Sequence, residues 1–188
     1  MAETEHVLIT GPAGSGKTTL ARYFIEHGRN AVDADISGIG VWLDGDKKVV
    51  KAPDDIGRGI NKWAEERNLQ WNWDAEKVKA LLSQNHELYL IGMATNTLDF
   101  AGLFNKRYYL YAREKLILER LDTRMKDETR HHDYGSTEEQ RRWILGSLKS
   151  QIETMRKAGF EFIDASLAPS QIYNLITQKN LSRRQKAR

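Results

Sequence analysis

The stretch VLITGPAGSGKTTLARYF, residues 7–24, changes character twice. Val7, Leu8 and Ile9 form a short apolar run suited to a buried parallel strand, and Leu20, Ala21, Phe24 and Ile25 recur at helical spacing after it. Between the two, Gly11, Gly14, Gly16, Lys17 and Thr18 spell G-x-x-x-x-G-K-T. A loop with that spacing can turn several backbone N–H groups inward, because glycine lacks the Cβ that would block the approach. The helix behind it adds unpaired N-terminal amides and the positive end of its dipole. Strand, loop and helix in this order make a phosphate-binding P-loop. In it Lys17 is expected to reach the β- and γ-phosphates of ATP and Thr18 to ligate Mg2+, with Ala13, Ser15 and Thr19 completing the cradle.

Bulk properties narrow the context. The 188 residues suffice for one α/β domain with helices on both faces of a sheet. The absence of cysteine rules out disulfides and thiolate metal sites. The start, MAETEH, is acidic and polar where a signal peptide would be basic and then apolar, and no apolar run approaches membrane-spanning length. A cytoplasmic protein without a membrane partner is expected, as a monomer or homodimer. Arg183, Arg184, Lys186 and Arg188 sit in the last six residues, and removing these four cations takes the formal charge from +3 to −1. The basicity belongs to a tail, 181–188, so nucleic acid is not the expected partner.

The rest of the chain alternates strand and helix signals. Residues 30–33 read as a second strand, and VWLDGDKKVV, 41–50, as a hairpin turning at Asp44-Gly45. Residues 54–84 carry two helical patterns, one around Ile60, Trp63 and Ala64, the other along 75–82 with Asp74 as its N-cap. ELYLIG (87–92), YYLYA (108–112) and FEFIDA (160–165) read as further strands. A helix bearing Leu116, Ile117 and Leu121 precedes a polar stretch, 126–135. A long helix follows, opened by Ser136 and Glu139 as a capping box, with Trp143, Ile144, Leu148, Ile152 and Met155 as its apolar stripe. Such alternation implies a parallel sheet with right-handed crossovers, a three-layer α/β/α P-loop fold.

Ligands in open α/β sheets sit beyond the carboxyl ends of the strands. The second strand ends VDAD, and alternation along an extended segment would aim Asp33 and Asp35 in one direction. Paired carboxylates suit phosphoryl transfer: one can hold Mg2+ through water while the other orients or deprotonates an acceptor hydroxyl.

The P-loop at 11–18, the DAD at 33–35, LERLDTR at 118–124, the polar stretch and a last strand ending IDAS at 163–166 resemble the nucleoside monophosphate kinase superfamily. The resemblance is nearest its shikimate-kinase and gluconate-kinase-like branch and spans most of 5–178. It implies a five-stranded parallel sheet of order 2-3-1-4-5 in a single domain, 1–180, with an acceptor-site insertion at 36–85 and a lid at 125–135. It further implies that Asp33 helps with Mg2+, Asp35 binds the acceptor hydroxyl, Arg120 packs on adenine, and Arg124 or Arg130 clamps phosphate from the lid. Arg58, Gly92 and Asn96 join Asp35 as expected acceptor contacts.

Departures leave the acceptor open. The third strand ends LIGMATN without a terminal aspartate, so no Walker B carboxylate is visible, and only Gly92 stands where shikimate kinases carry paired glycines. Trp42, Trp63, Trp71 and Trp73 crowd the insertion, where they can stack on a ligand or pack as core. His131, His132 and Asp133 match no metal spacing. The expected activity is ATP-dependent phosphorylation of a small-molecule hydroxyl or phosphate acceptor, a nucleoside, nucleotide or shikimate- or sugar-acid-like compound. The alternatives are a regulatory ATPase without acceptor and a nucleic-acid end kinase.

Overall fold

The computed structural model describes residues 4–56, 59–126 and 134–186, with side chains as far as 178. Strand β1 (Glu5–Thr10) is central, and its Val7, Leu8 and Ile9 are wholly buried. The chain then runs through α1 (Lys17–Glu26) and β2 (Ala31–Asp33), and later through β6 (Glu87–Ile91), β7 (Lys106–Tyr111) and β8 (Glu161–Asp164). These five strands pair in parallel in the order β2-β6-β1-β7-β8, which is 2-3-1-4-5 when counted within the sheet. One row of the register reads Asp33, Ile91, Ile9 and Tyr108. It brings the end of β2 level with the residues just before the glycine loop.

Strand alternation divides the core. Val7, Ile9, Tyr89, Ile91, Tyr108 and Leu110 face Leu20, Ala21 and Phe24 of α1, Ile117 and Leu121 of α4 (Glu114–Met125), and Ile172 and Ile176 of α6 (Pro169–Lys186). Leu8, Leu90 and Tyr109 face the other way, onto Val78 of α3 (Ala75–Gln84) and Phe100 and Ala101 of a 3-10 helix, Thr97–Leu103. Helix α5 (Glu138–Lys157) gives Ile144 and Leu148 to the first layer and Met155 to the second. Each fully buried Leu or Ile contributes about 1.5–3 kcal/mol. The fold is therefore the three-layer α/β/α arrangement. Ile25 and Trp143, read as core from spacing, are 53% and 64% exposed, one step off the stripes that their neighbours form.

The insertion is a sheet in its own right. Strands β3 (Gly40–Leu43), β4 (Val49–Val50) and β5 (Gln70–Trp73) pair antiparallel in the order β4-β3-β5, with Trp42 opposite both Val50 and Trp71. The expected hairpin forms, but Asp44 makes its turn: Asp44 Oδ1 accepts from the N–H groups of Asp46 and Lys48, and Lys47, not Gly45, takes the left-handed conformation at φ +62°. Strand β5 was absent from the sequence expectation, which gave 54–84 to helices. QWNW is too short to show a period, and only pairing with β3 reveals it. Helix α2 (Ile60–Glu65) and α3 flank it, and Asp74 Oδ1 caps α3 through the N–H groups of Glu76 and Lys77.

Two end effects also differ. The cap of α5 is Thr137, whose Oγ1 accepts from Gln140 N at 3.1 Å, so the S-x-x-E reading is one residue early. The backbone of α6 continues to Lys186, through most of the stretch read as a tail. Arg58, Arg130, the His131-His132-Asp133 cluster and most of the 125–135 segment lie outside the described residues. No described helix is long and apolar enough to cross a membrane. The capping assignment is testable in urea: Thr137→Ala should cost about 1 kcal/mol, whereas Ser136→Ala should stay within about 0.5 kcal/mol. The reverse order would restore the earlier cap.

Candidate functional site

The glycine loop leaves β1 at Thr10 and enters α1 at Lys17. Gly16 is the N-cap at φ +96°, a conformation open to glycine, and no side chain caps the helix. The first-turn amides of α1 are thus left for a ligand. Lys17 is buried, and its Nζ donates to the carbonyls of Gly11 (2.8 Å) and Pro12 (3.1 Å). Ala13 and Gly14 lie at the rim, Thr18 is half-buried on the first turn, and Thr19 is exposed. Ser15 is buried, with its N–H on the Pro12 carbonyl and its Oγ without a hydrogen-bond partner among the described residues.

Arg120 braces the loop from α4. Its Nη1 donates to the carbonyls of Gly14 (3.3 Å) and Ser15 (3.1 Å), and its Nη2 to that of Ala165 (2.8 Å) just past β8. Three carbonyls from two segments are held in one guanidinium plane, which a lysine could not do. One helical turn on, Arg124 donates to the Tyr134 carbonyl. Its charge is also felt at Lys17.

The two aspartates meet that lysine. Asp33 is buried at the end of β2; its Oδ1 accepts from Asp35 N at 3.0 Å, and its Oδ2 has no hydrogen-bond partner among the described residues. Asp35 lies beyond the strand, in a turn where Ile36 and Ser37 donate to the Asp33 carbonyl. The pair converges through this turn and not through strand alternation, because the chain leaves the extended conformation after Asp33. Burial raises the Asp35 carboxyl above the usual range, opposed by Lys17 and reinforced by Asp33. Burial likewise pulls Lys17 down, with Asp35 and Asp33 opposing and Arg124 assisting. One ammonium and two carboxylates therefore share a poorly hydrated corner at the mouth of the loop.

Gly92 and Asn96 reach this side of the sheet, and both are engaged there. A Cβ on Gly92 would come within 2.5 Å of the Ala34 Cβ and 3.3 Å of the Trp73 ring, so glycine is what lets β2 and the small sheet close on β6. Asn96 accepts from Trp73 N (2.8 Å) and donates to the Trp73 carbonyl (2.9 Å), clamping β5 in place. Both hold the wall together from behind. The wall is aromatic: Trp42 stands 5.0 Å from Trp71 and 6.4 Å from Trp63, and Arg67 lies 5.4 Å over Trp63. Trp73 is fully buried, and the indole N–H groups of Trp42 and Trp73 have no partner among the described residues. Sequence reasoning missed the carbonyl partners of Arg120, for which no spacing gives a signal.

The profile of the AAA domain family matches residues 7–143, and the chain belongs to that family. No curated protein matches it. Solved structures share the fold at low identity. A shikimate kinase from Acinetobacter baumannii in complex with shikimate is 19% identical, with TM-score 0.55 over 95% of this chain and 97% of its own. A deoxyadenosine kinase from M. mycoides with bound dATP is 16% identical, with TM-score 0.51 over 93% and 98%. A gluconokinase from Sinorhizobium meliloti 1021 is 14% identical, with TM-score 0.51 over 92% and 89%. The architecture is that of the nucleoside monophosphate kinase-like P-loop proteins.

The Arg120 brace leads to a direct test. Arg120→Ala should lower stability in urea by about 2 kcal/mol and weaken calorimetric binding of a non-hydrolysable ATP analogue about tenfold. Unchanged values would make Arg120 a solvated helix charge.

Proposed function

We propose that the chain is an ATP-dependent phosphotransferase that moves a γ-phosphoryl group to a hydroxyl of a small molecule. The observation that carries this reading is the meeting of Lys17, Asp33 and Asp35 at the mouth of the glycine loop. In a nucleotide-bound state Lys17 would exchange the Gly11 and Pro12 carbonyls for phosphate oxygens, a better match for its charge. The orphaned Asp33 Oδ2 and the Thr18 hydroxyl fit a Mg2+ ion, which when bound would neutralise charge on the β- and γ-phosphates. Asp35 would then accept the proton of the acceptor hydroxyl while that oxygen bonds to the γ-phosphorus and the bond to the ADP oxygen breaks. A carboxylate raised by burial is a stronger base for that step than a solvated one.

The similar structures are shikimate, deoxyadenosine and gluconate kinases, whose namesakes all carry hydroxyls, and this supports a hydroxyl over a phosphate acceptor. The tryptophan wall beside Asp35 supports an acceptor site over a bare ATPase, and its flat rings put nucleosides first among probes. Arg120 offers a fixed guanidinium plane on which adenine could stack.

ADP release measured against 2′-deoxyadenosine, other nucleosides, shikimate and gluconate tests the proposal. One of these should raise turnover well above the rate with water alone. With it, Lys17→Ala should lower kcat at least about 1,000-fold, and Asp35→Asn about 100-fold with the KM for ATP within about twofold. Asp33→Asn should be partly rescued by raised Mg2+. ADP release that no acceptor stimulates, and that Asp35→Asn leaves intact, would favour an ATPase without acceptor.

A further inference from the structure

We infer that the hydrogen bond between Gln140 and Glu65 fixes how far the tryptophan-bearing insertion stands from α4 and α5, so that Gln140 is a positioning residue for the acceptor. The inference rests on the insertion being the acceptor side of a phosphotransferase, and it goes beyond that reading by naming the contact that holds the insertion in place against the phosphate side.

Gln140 lies on the first turn of α5, three residues after the Thr137 cap, in the sequence T-E-E-Q. In a capping box a glutamine at this position bends back to the N–H of the cap residue. Here its Oε1 accepts from Gly135 N–H at 2.7 Å, and its Nε2 donates to Glu65 Oε1 of α2 at 2.8 Å, 75 residues away in the sequence. The cap itself uses only the backbone N–H of Gln140, which Thr137 Oγ1 receives. The side-chain amide is buried, and its two ends are committed to two different elements. Helix capping explains neither bond. A donor on a carboxylate is stronger than one on a neutral acceptor, and losing it would leave a buried amide unpaired.

Both ends of the contact are themselves held. On the α5 side, Gly135 has φ +91°, and a Cβ there would fall 2.8 Å from Leu121 Cδ2 of α4. Its carbonyl receives Arg141 Nε at 2.8 Å, and Arg141 Nη1 pairs with Asp122 of α4 at 2.7 Å. On the insertion side, Glu65 closes α2 two residues after Trp63, which is buried and stands 6.4 Å from Trp42 of β3; Trp42 in turn lies 5.0 Å from Trp71 of β5. A shift of Glu65 therefore carries the aromatic wall with it. The other flank of the small sheet is tied to the exit of β6, by Thr95 N–H on the Trp71 carbonyl (2.8 Å) and by the Asn96 amide on both polar groups of Trp73. In the chain α2 follows β2 and α5 follows β7, and β1 with its glycine loop stands between those two strands in the sheet. The Gln140 bond thus joins the elements on the two sides of the loop, and a gap set by one short polar contact is a gap in which an acceptor can be presented to the phosphate side in one pose.

Gln140→Glu keeps an acceptor for the Gly135 N–H and sets a second carboxylate against Glu65; Glu65→Ala removes only the far end; Glu65→Gln combined with Gln140→Glu rebuilds the pair in reverse. The chain has no cysteine, so cysteines placed at the exposed Lys62 of α2 and Lys149 of α5 are the only sites for thiol-directed spin labels. In double electron-electron resonance on the full chain, the labelled parent should give one narrow distance distribution, Gln140→Glu and Glu65→Ala a longer or broader one, and the reversed pair the parent distribution again. A distribution that neither single change alters, or one that the reversed pair leaves broad, overturns the proposal; where Gln140→Glu fails to fold, Glu65→Ala alone decides. In turnover with 2′-deoxyadenosine as first probe, and shikimate or gluconate if it is not phosphorylated, both single changes should lower kcat/KM for the acceptor about tenfold with the KM for ATP within about twofold. The reversed pair should recover the parent value to within about twofold. A loss shared equally by acceptor and ATP would mark Gln140 as merely structural and also overturn the proposal. Should none of these probes be phosphorylated, the reading of the chain as a kinase of such acceptors fails, while the distances still decide the contact.

Discussion

A buried ammonium is the constraint on which the rest of this structure depends. Lys17 lies inside the glycine loop, and burying such a charge is tolerable only where carbonyls and carboxylates replace the lost water. The chain supplies the carbonyls of Gly11 and Pro12 and, across the sheet, Asp33 and Asp35. That requirement fixes the strand register: Asp33 can stand beside the loop because it pairs level with Ile91 and Ile9, the last rows before β1 turns away. A one-residue slip of β2 would send Asp33 to the other face of the sheet.

The small antiparallel sheet follows from the same corner. Carboxylates that only offset Lys17 would need no second layer of support, yet the exit of β6 is tied to β5 by Thr95 and Asn96. Gly92 allows the closeness: without a Cβ there, Ala34 and the Trp73 ring meet over the end of β6. Trp73 is fully buried in the second core layer, and Trp71 packs partly buried against the same cluster, with Trp42 5.0 Å from its ring.

Features that depend on local chemistry were legible in the sequence. The glycine loop, the five core strands, the Asp74 cap and the hairpin each rest on residue types within a few positions of one another, whereas the strand order followed only from the family resemblance. Features that depend on partners far along the chain were not. Strand β5 is visible only once β3 lies beside it, and the Arg120 brace needs a carbonyl from residue 165, which no spacing rule connects to residue 120. The Thr137 cap shows a finer limit, since Ser136 and Thr137 both begin plausible boxes and tertiary context chooses between them. Gln140 is drawn elsewhere: its side chain accepts from Gly135 N at 2.7 Å and donates to Glu65 at 2.8 Å.

That glutamine also joins the two halves of the site. Glu65 ends α2 on the insertion side, while Gly135 follows Tyr134, whose carbonyl receives Arg124, and Arg124 bears on Lys17. Arg141 reinforces the junction by donating to the Gly135 carbonyl and pairing with Asp122 of α4 at 2.7 Å. A run of polar contacts therefore leads from the tryptophan-bearing insertion to Arg124, whose charge is felt at Lys17, through groups that are costly to leave unpaired when buried. Gln140 is itself 5% exposed, so a shift of α2 that broke its bond to Glu65 would strand a buried amide. The glycine-loop side and the insertion side are thus held in one geometry by the penalty for separating them.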